Sequence, residues 1–507
     1  MMSPQQPVTQ AFQQQTPPSP VSRPFDLATL LLALGFGCLF WLHFFDWGRV
    51  VLSFEDWPNQ AYYLNISRLA VAHGQAPWIA NWSAHGTDKF LSVPEILMGP
   101  QILFLPWLSN GWFVTLDVCL LYGLGVWGWR AVKKQHSWSP EAFLLAIVAT
   151  SFNGFVVSHL AAGHLMWSGC FLAPWLLLSL QKMLVSEDAF CWLPVSFLLF
   201  ALFLLGAFHM AIWWIFFIGL AALARPRALV PAFFAIAGGC AMACCRILPA
   251  MVFMGEKFQF LTGYPSLRIL LKSFTEIQGY TPGVQQTITV VTADMLGWWE
   301  FDHYTGWPLL LFIVLFASVA VCLWHKQAPA LGPLAAASLG MAFLSYGTVY
   351  SVFYSLPLPL FHSERVATRF IAVSFVGLLF VALRGLESQQ ASKARPLARL
   401  FVGLVLAFAL HDAWAGAQPW LLARLEPAHA FSWYFPELEK LAPAIVAKDH
   451  QTTYQAVVLG SFTLSLLALL PLTALSFSPE MRRRLEAWLT SVRGAFPKTR
   501  PGRSFGS

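Results

Sequence analysis

Long apolar stretches follow one another along most of the chain and predict an all-α protein that crosses a membrane many times. Most of these stretches are close to the length of about 18 residues that an α-helix needs to span the hydrocarbon core of a bilayer. We predict about twelve spans, with about eleven or thirteen as the nearest alternatives. The predicted spans lie near residues 25–45, 112–130, 140–161, 165–184, 190–207, 209–224, 229–249, 307–324, 329–346, 366–384, 398–416 and 454–477.

The polar segments between the predicted spans differ in length and charge on the two sides of the membrane. Segments assigned to one side are short and hold most of the 31 Lys and Arg residues of the chain. Because basic residues are enriched in cytoplasmic loops, this side is predicted to be the cytoplasm, with both termini there. The opposite side carries four longer segments, 46–111, 250–306, 347–365 and 417–453. Long segments of this kind often hold functional residues.

The same pattern divides the chain into four parts. Residues 1–24 are rich in Gln and Pro and are predicted to be a disordered cytoplasmic tail. Residues 25–384 form a membrane core that carries the first three outer segments. Residues 385–478 add the last spans and the outer segment 417–453, and residues 479–507 form a basic cytoplasmic tail.

Composition supports a membrane protein and argues against a soluble protein and against a nucleic-acid-binding protein. Hydrophobic residues make up 57% of the 507 residues and charged residues only 11%, whereas soluble proteins carry about 25% charged residues. The net charge of +7 lies mainly in short loops and in the tail, where it sets orientation, so no nucleic-acid partner is predicted. The eight cysteines lie in apolar stretches without a CxxC pair or a Cys/His zinc spacing.

The first outer segment opens on two adjacent carboxylates. The string FEDWPNQAYYL places Glu55 and Asp56 just past the first predicted span. After Pro58, apolar residues recur at helical spacing as far as Gly74, which predicts an amphipathic helix lying along the membrane surface. Two interpretations of the pair remain open: the carboxylates mark the water boundary of the first span, or they carry the chemistry of the protein.

Several further strings join this acidic pair in a recognisable pattern. They are HGQAPWIANWSAHGTDKFLSVPEIL, SHLAAGHLMWSGCFLAPWLLL, LLGAFHM and FHSERVATRF. Together with EDW and the many spans, they resemble bacterial members of the GT-C superfamily, which are membrane glycosyltransferases that use sugars carried on a polyprenyl phosphate. The resemblance extends to about Phe370. It departs from the family pattern in one respect. The family's acidic residues are often separated by a spacer, as in DxD, whereas Glu55 and Asp56 are adjacent.

The resemblance implies a GT-C-like fold with amphipathic helices in the first outer segment, and an inverting hexosyl- or pentosyltransferase of the bacterial inner membrane. Such an enzyme passes a sugar to a glycan, lipid or protein acceptor at the outer, periplasmic face. Asp56 is the predicted catalytic base, and Glu55 supports it. The metal requirement stays open. If a divalent ion such as Mg²⁺ or Mn²⁺ takes part, Glu55 and Asp56 are its predicted ligands.

Three arginines are candidates for binding the phosphate of the donor. Arg365 and Arg369 lie four residues apart in HSERVATRF, and Arg246 lies in the apolar stretch CCRILP. Guanidinium groups bind phosphate oxygens in a bidentate manner, and an ionisable residue in an apolar stretch is by default a functional candidate. The alternative for Arg365 and Arg369 is pairing with Glu364 and with lipid headgroups.

A further set of polar and aromatic residues on the outer side is predicted to bind substrate. Acidic and aromatic residues often hold a sugar ring together, although an interfacial loop has the same composition. The predicted substrate-binding residues are His85, Asp88, Lys89, His164, Trp299 and His303.

The histidine pair His159 and His164 is not predicted to bind zinc. The two residues are five positions apart, which does not place them on one face of a helix, and no HExxH motif exists. Interfacial histidines bonded to the backbone are the simpler interpretation.

Two other functions remain in competition with a glycosyltransferase. A transporter or flippase for a lipid-linked or polar substrate would place its polar groups near the middle of the membrane, within interrupted helices. A non-catalytic membrane assembly subunit would share the topology but tolerate the loss of Glu55 and Asp56.

Overall fold

The computed structural model describes most of the chain as helix. It covers residues 22–50, 55–79, 87–254, 261–277, 298–324, 329–356, 359–388, 395–423 and 452–484. Within these ranges the chain forms α-helices and short 3₁₀ helices, with three isolated β-bridges and no strand. The prediction of an all-α protein is confirmed for this part of the chain. The predicted substrate residue His85 lies outside it.

Eighteen α-helices follow one another along the described residues. They are α1 (Ser22–Phe44), α2 (Trp57–Ala72), α3 (Asn110–His136), α4 (Pro140–Ser151), α5 (Gly154–Ala161), α6 (Ala173–Val185), α7 (Leu193–Leu204), α8 (Phe208–Leu223), α9 (Leu229–Met242), α10 (Cys244–Phe253), α11 (Leu267–Thr275), α12 (Trp307–Trp324), α13 (Leu331–Leu344), α14 (Gly347–Tyr354), α15 (Pro359–His362), α16 (Phe370–Ser388), α17 (Arg395–Ala423) and α18 (Thr452–Phe477). Seven 3₁₀ helices connect or extend them: Asp46–Gly48, Phe90–Ser92, Pro100–Trp107, Leu165–Leu172, Pro226–Ala228, Trp298–Glu300 and Ala367–Arg369.

Seven helical segments in the described part of the chain are long and apolar enough to cross a membrane, so the protein is a multi-pass membrane protein. They are Asp26–Phe44, Asn110–His136, Pro140–Ala161, Leu165–Val185, Ala367–Leu386, Pro396–Leu421 and Thr452–Phe477. The segment Pro226–Met242 and helix α10 pass the same test together but are bent by 74° at the break between them.

The predicted count of twelve spans is not confirmed. Four apolar helices are shorter than a full span: Leu193–Leu204, Phe208–Leu223, Trp307–Cys322 and Leu331–Leu344. A count of twelve requires the bent pair and all four of these helices to cross the bilayer as well. Short helices of this kind cross only where they are enclosed by neighbouring helices or where the bilayer thins around them.

Helix α2 follows the predicted helix in the first outer segment closely, but it is embedded in protein. Most of its residues are buried, and these include the polar residues Asn59, Gln60 and Ser67. Arg68 attaches α2 to the segment that leads into α3, because its guanidinium donates to the carbonyl oxygens of Leu105 and Leu108 at 3.0 and 2.9 Å. The helix is therefore held by the rest of the molecule over much of its surface, unlike an amphipathic helix with one face on a bilayer.

The start of α2 is docked onto the turn that follows α5. The backbone N–H of Asp56 donates to the carbonyl of Ala162 at 2.9 Å, and the indole N–H of Trp57 donates to Ala161 at 3.0 Å. Gly163 makes this approach possible, since a Cβ built there would lie 2.3 Å from the backbone nitrogen of Trp57. The start of α2 at Asp56 is thus attached to the end of the segment Pro140–Ala161.

The segment that begins at Trp298 packs against the other end of α5. The N–H of Gly154 donates to the carbonyl of Tyr304 at 2.9 Å. Asp302 accepts a hydrogen bond from the N–H of Tyr304 at 2.9 Å and another from the indole of Trp420 at 3.1 Å. A Cβ at Gly154 would lie 2.0 Å from a carboxylate oxygen of Asp302, so glycine is required for this contact. Helix α5 therefore lies between the two segments that carry Asp56 and Glu300.

Candidate functional site

Asp56 lies at the N-terminus of α2 with its side chain 58% exposed. Pro58 in the first turn suits a helix start because its missing N–H would have no partner there. The preceding residue, Glu55, has a φ of +46°, which turns the chain sharply before the helix. Glu55 and Asp56 therefore lie directly before the first turn of α2.

Glu55 lies in a less solvated position than Asp56. Burial raises the pKa of the Glu55 carboxyl to about 7, the charge of Asp56 adds to the rise, and the charge of His164 opposes it. A carboxyl that is partly removed from water favours its neutral form. The two adjacent acids therefore differ in environment, which the sequence alone does not reveal.

A turn at Gly163 brings two histidines together that a continuous helix would keep apart. Helix α5 ends at Ala161, and Gly163 then adopts a φ of +98°. This conformation folds His164 back, so that Nδ1 of His164 lies 2.8 Å from Nδ1 of His159. The argument from helical spacing was wrong for this pair because the helix ends between the two residues.

His164 joins the exposed carboxylate to a buried group of charged residues. Its Nε2 lies 2.7 Å from Oδ2 of Asp56, at a hydrogen-bond distance. On the other side, Nε2 of the fully buried His159 lies 4.0 Å from Oε2 of Glu300. A continuous series of polar side chains therefore leads from the exposed Asp56 to the buried Glu300.

Glu300 is paired with Arg369 in the interior. The Nε and Nη2 groups of Arg369 donate to the two carboxylate oxygens of Glu300 at 2.7 and 2.5 Å, which is the bidentate geometry of a strong ion pair. A second carboxylate, Glu364, lies 3.6 Å from Nη1 of Arg369. We call His159, His164, Glu300, Glu364 and Arg369 the buried polar cluster.

Glu364 is the most fully bonded member of the buried polar cluster. One of its oxygens accepts from the backbone N–H groups of Arg365 and Val366 at 3.0 and 2.9 Å. The other lies 2.9 Å from Nδ1 of His209 and 2.7 Å from the indole nitrogen of Trp213. Such a carboxylate holds the loop and α8 together in its ionised form.

Electrostatics favour the ionised forms of both buried glutamates. Burial raises the pKa of Glu364, but the charge and hydrogen bond of His209 and the charge of Arg369 outweigh it and bring the pKa to about 2. Burial also raises the pKa of Glu300, yet the charge and hydrogen bonds of Arg369 outweigh this and lower the pKa below its ordinary value. Both carboxylates are therefore acceptors.

The three predicted phosphate-binding arginines occupy different surroundings. Arg369 is buried and bound to Glu300. Arg365 is only partly buried, and the carboxylates of Glu300 and Glu364 both act on its guanidinium. Arg365 is therefore the better placed of these two to meet a ligand, whereas Arg369 belongs to the interior.

Arg246 anchors part of the first outer segment. It is buried on α10, and its Nη2 donates to the carbonyl oxygens of Val93, Pro94 and Ile96 at 3.1, 2.9 and 2.9 Å. A guanidinium that satisfies several carbonyls in this way holds a loop in place. The Nη2 group is used for this purpose, whereas the buried Nε has no hydrogen-bond partner among the described residues, and we describe Arg246 as a loop anchor.

Asp88 and Lys89 lie together at a different contact. The Lys89 ammonium is 3.2 Å from a carboxylate oxygen of Asp88 and 5.3 Å from the ring centre of Tyr454 on α18. The side chain of Asp88 is 58% exposed, whereas that of Lys89 is 6% exposed. Lys89 therefore contacts α18, whereas Asp56 contacts His164. The structure does not bring Asp88 and Lys89 into contact with the buried polar cluster among the described hydrogen bonds and ion pairs.

Trp299 and His303 flank the buried polar cluster from the segment that contains Glu300. The carbonyl of Trp299 accepts from the Ser158 hydroxyl at 3.4 Å. His303 is buried, stacks on Phe155 with ring centres 4.8 Å apart, and lies 3.2 Å from the hydroxyl of Tyr264. Burial lowers the pKa of the His303 imidazole to about 3, which keeps it neutral.

An open crevice of about 620 Å³ lies beside the end of this segment, between α12 and α17. Its walls include Trp307 and Pro308 from α12 and Leu404 and Phe408 from α17, and Asp412 lies at one side. The lining is mostly apolar and suits a hydrocarbon chain.

No sequence pattern joins the members of the buried polar cluster. The sequence indicates a backbone-bonded histidine for His159 and a partner of nearby arginines for Glu364. For Glu300 it leaves two interpretations open, an acid beside aromatic residues that hold a sugar ring and an acid of an interfacial loop. The signal that could have connected them is the glycine after α5, because a glycine next to two histidines permits a tight turn. Nothing local indicates that Glu300 pairs with Arg369, which lies 69 positions further along the chain.

Comparison of the chain with protein-family models, with curated proteins and with solved structures found no match. Function is therefore inferred from the geometry of the site and from the sequence pattern. Chemically, the site combines a half-exposed carboxylate, a pair of touching imidazoles and two buried carboxylates shared by one guanidinium. One nitrogen from each of His159 and His164 and one oxygen of Glu300 also lie within 4.8 Å of one another, as ligands of a metal ion would.

Proposed function

We propose that this protein is a membrane glycosyltransferase that moves a sugar from a polyprenyl-phosphate carrier to a glycan, lipid or protein acceptor. The GT-C arrangement with about twelve spans, the bacterial inner membrane and a site on the periplasmic face belong to the same proposal. The observation that carries it is the Asp56 carboxylate, which is 58% exposed and held at 2.7 Å by His164 at the edge of a buried polar cluster.

The proposed reaction is an inverting displacement at the anomeric carbon of the sugar. The hydroxyl oxygen of the acceptor forms a new bond to this carbon while the bond to the carrier phosphate breaks, and the phosphate leaves with the bonding electrons. The Asp56 carboxylate takes the hydroxyl proton as general base. His164 would keep this carboxylate in one orientation, which matters because a base must lie within hydrogen-bond reach of the proton that it removes.

The leaving phosphate needs positive charge near the same place. Arg365 supports the proposal because it follows Glu364 at the edge of the buried polar cluster and remains partly exposed. Guanidinium groups stabilise the oxygens of a departing phosphate. The apolar crevice beside Trp307 and Phe408 has a lining that would suit the polyprenyl chain.

A transporter or flippase is the second candidate, and one observation favours it. The segment Pro226–Met242 and helix α10 meet at an angle of 74°, at an interruption of the helix between them. Interrupted helices of this kind form binding sites in many secondary transporters. Arg246 is the charged residue that follows this interruption. It donates to carbonyl oxygens of the first outer segment, which fits an anchoring role better than a transport site.

The test is sugar transfer by purified protein in reconstituted membranes. Radiolabelled polyprenyl-phosphate sugars and a crude cell-envelope acceptor are supplied to the wild type and to Asp56→Asn and Glu55→Gln. We expect Asp56→Asn to lower transfer by roughly a hundredfold or more, since general-base catalysis contributes about 10²–10⁴-fold.

A matched control is Glu480→Gln, which removes a 68% exposed carboxylate that pairs with Arg484 and belongs to no predicted site. We expect this variant to transfer sugar at close to the wild-type rate. Equal transfer by wild type and Asp56→Asn would reject Asp56 as the base. Absence of transfer with every donor tried would reject the glycosyltransferase and favour transport or an assembly role.

A further inference from the structure

We propose that His159, His164 and Glu300 bind one divalent transition-metal ion, with Zn²⁺ as the preferred ion. One ligand atom from each side chain lies within 4.8 Å of the other two, and all three residues are buried. This set differs from the acidic pair Glu55 and Asp56 that the sequence offered as metal ligands. Metal binding can be measured without any sugar donor, so its outcome is independent of the proposed function.

The hydrogen bonds of the two histidines leave one nitrogen lone pair facing a carboxylate. An ionised Asp56 can only accept, so His164 presents Nε2–H to it and keeps a lone pair on Nδ1. The 2.8 Å contact between the two Nδ1 atoms is then a hydrogen bond only if His159 carries its proton on Nδ1, and this bond uses the Nδ1 lone pair of His164. Nε2 of His159 is left with a free lone pair and lies 4.0 Å from Oε2 of Glu300. A metal bound by His164 would replace the hydrogen bond between the two histidines.

This nitrogen is the unexplained atom of the cluster. Nε2 of His159 is buried and has no hydrogen-bond partner among the described residues, and the side chain is fully buried. A buried acceptor without a partner costs about 1–3 kcal/mol, and two acceptors that face each other also repel. A cation between His159 and Glu300 removes both penalties.

The surrounding charge also favours a cation. Carboxylates outnumber guanidinium groups in this region, so a further positive charge is favoured there, supplied either by a metal ion or by protonated histidines. The carboxylates are Asp56, Glu95, Glu300 and Glu364, and the guanidinium groups are those of Arg365 and Arg369. Each oxygen of Glu300 that accepts from Arg369 retains a second lone pair for a metal.

The donor types select the metal. Two imidazole nitrogens and one carboxylate oxygen suit Zn²⁺ and its neighbours, whereas Mg²⁺ and Ca²⁺ prefer sites built from oxygen. Ligand atoms at about 2.1 Å from a tetrahedral Zn²⁺ lie about 3.4 Å apart. From the 4.8 Å limit, the widest separation in the set needs to contract by up to about 1.4 Å.

Asp56 contributes to the proposed site through His164, without binding the metal itself. A carboxylate that accepts from the far nitrogen of a ligating histidine is a common feature of metal sites, where it fixes the tautomer and orients the ring. Three protein ligands leave a fourth position for water or substrate, as in catalytic zinc sites. The competing arrangement is a proton on Nε2 of His159, which would make an ion pair with Glu300 and leave no need for a metal.

The experiment measures metal content and coordination in the full-length protein after removal of any affinity tag. The protein is stripped with a chelator in detergent, equilibrated with ZnCl₂, desalted and analysed for zinc. We expect about one zinc per chain in the wild type and at least a roughly tenfold weaker affinity in His159→Gln. The Co²⁺-substituted protein should show ligand-field bands without a thiolate charge-transfer band, which excludes binding by the free cysteines.

His209→Gln is the matched control, because His209 contacts Glu364 and contributes nothing to the three proposed ligands. We expect this variant to keep the wild-type zinc content, and Asp56→Asn to bind about 10–100-fold more weakly. A wild-type protein that takes up no zinc overturns the proposal and favours the protonated His159. Equal zinc content in wild type and His159→Gln, with folding verified by gel filtration, also overturns it.

Discussion

At the scale of single residues, Arg369 is the cation on which the interior of the site depends. Its guanidinium binds Glu300 in a bidentate manner and lies 3.6 Å from Glu364, and all three side chains are buried. Its face also lies 5.0 Å from the ring centre of Trp167. Removal of one buried charge leaves its partners without compensation in a low-dielectric surrounding, which costs more than the pair itself contributes.

We expect Arg369→Met to lower the free energy of unfolding by roughly 3–5 kcal/mol, because two buried carboxylates lose their partner. Unfolding by SDS in mixed micelles measures this change. Arg399→Met is the matched control, since Arg399 pairs with Glu141 in a partly exposed position, with side chains 42% and 27% exposed. A change of about 1 kcal/mol or less is expected there. Similar losses in the two variants would contradict this account of Arg369.

At the scale of elements, the turn after α5 assembles the site. Asp56 reaches this turn through the backbone, and His164 leaves it in the direction of Asp56 and His159. Gly163 combines a φ of +98° with close contact to the backbone of Asp56 and Trp57. Substitution there has two separate costs, one from backbone conformation and one from the lost space.

We expect Gly163→Ala to destabilise the protein by roughly 1–3 kcal/mol more than Gly74→Ala, since its Cβ would meet the Trp57 nitrogen at 2.3 Å and overpack the contact. Gly74 has a φ of +62° and no atom within 4 Å of an added Cβ, so alanine there meets only the conformational cost of about 1–2 kcal/mol. Unfolding of both variants in mixed micelles provides the comparison. Equal destabilisation would show that the close approach at Gly163 contributes nothing.

At the scale of the whole molecule, the site gathers residues from parts of the chain that lie far apart. Asp56 and His164 are 108 positions apart, and His209 and Glu364 are 155 positions apart. The proposed arrangement places these residues on the outer side of the membrane, with the basic segments and both termini in the cytoplasm.

We expect a fluorescent protein fused to the C-terminus to fluoresce when the chain is expressed in bacterial cells, because this reporter matures in the cytoplasm. An alkaline phosphatase fusion at the same position is expected to be inactive, because that enzyme folds only outside the cytoplasm. The reverse pair of results would invert the orientation and would place Asp56 on the cytoplasmic side, which is incompatible with a periplasmic transferase.

The sequence by itself determined where the helices lie. Each predicted span overlaps helix, as shown by 307–324 and Trp307–Trp324, although 229–249 falls on two helices bent by 74° and four others fall on helices shorter than a full span. It also located α2, whose predicted limits at Pro58 and Gly74 are close to Trp57–Ala72. These features are local: a run of apolar side chains in a membrane must satisfy its own backbone hydrogen bonds, and the helix does so within one segment.

Only the tertiary structure decided which polar residues meet. The pair Glu300 and Arg369 depends on how the segment after Trp298 packs against the start of α16, and no local pattern encodes that contact. The contact between His159 and His164 depends on a turn whose closeness to Asp56 only a glycine permits. Ion pairing and hydrogen bonding act over a few ångströms in space, irrespective of separation along the chain, so these contacts exist only once the helices are packed.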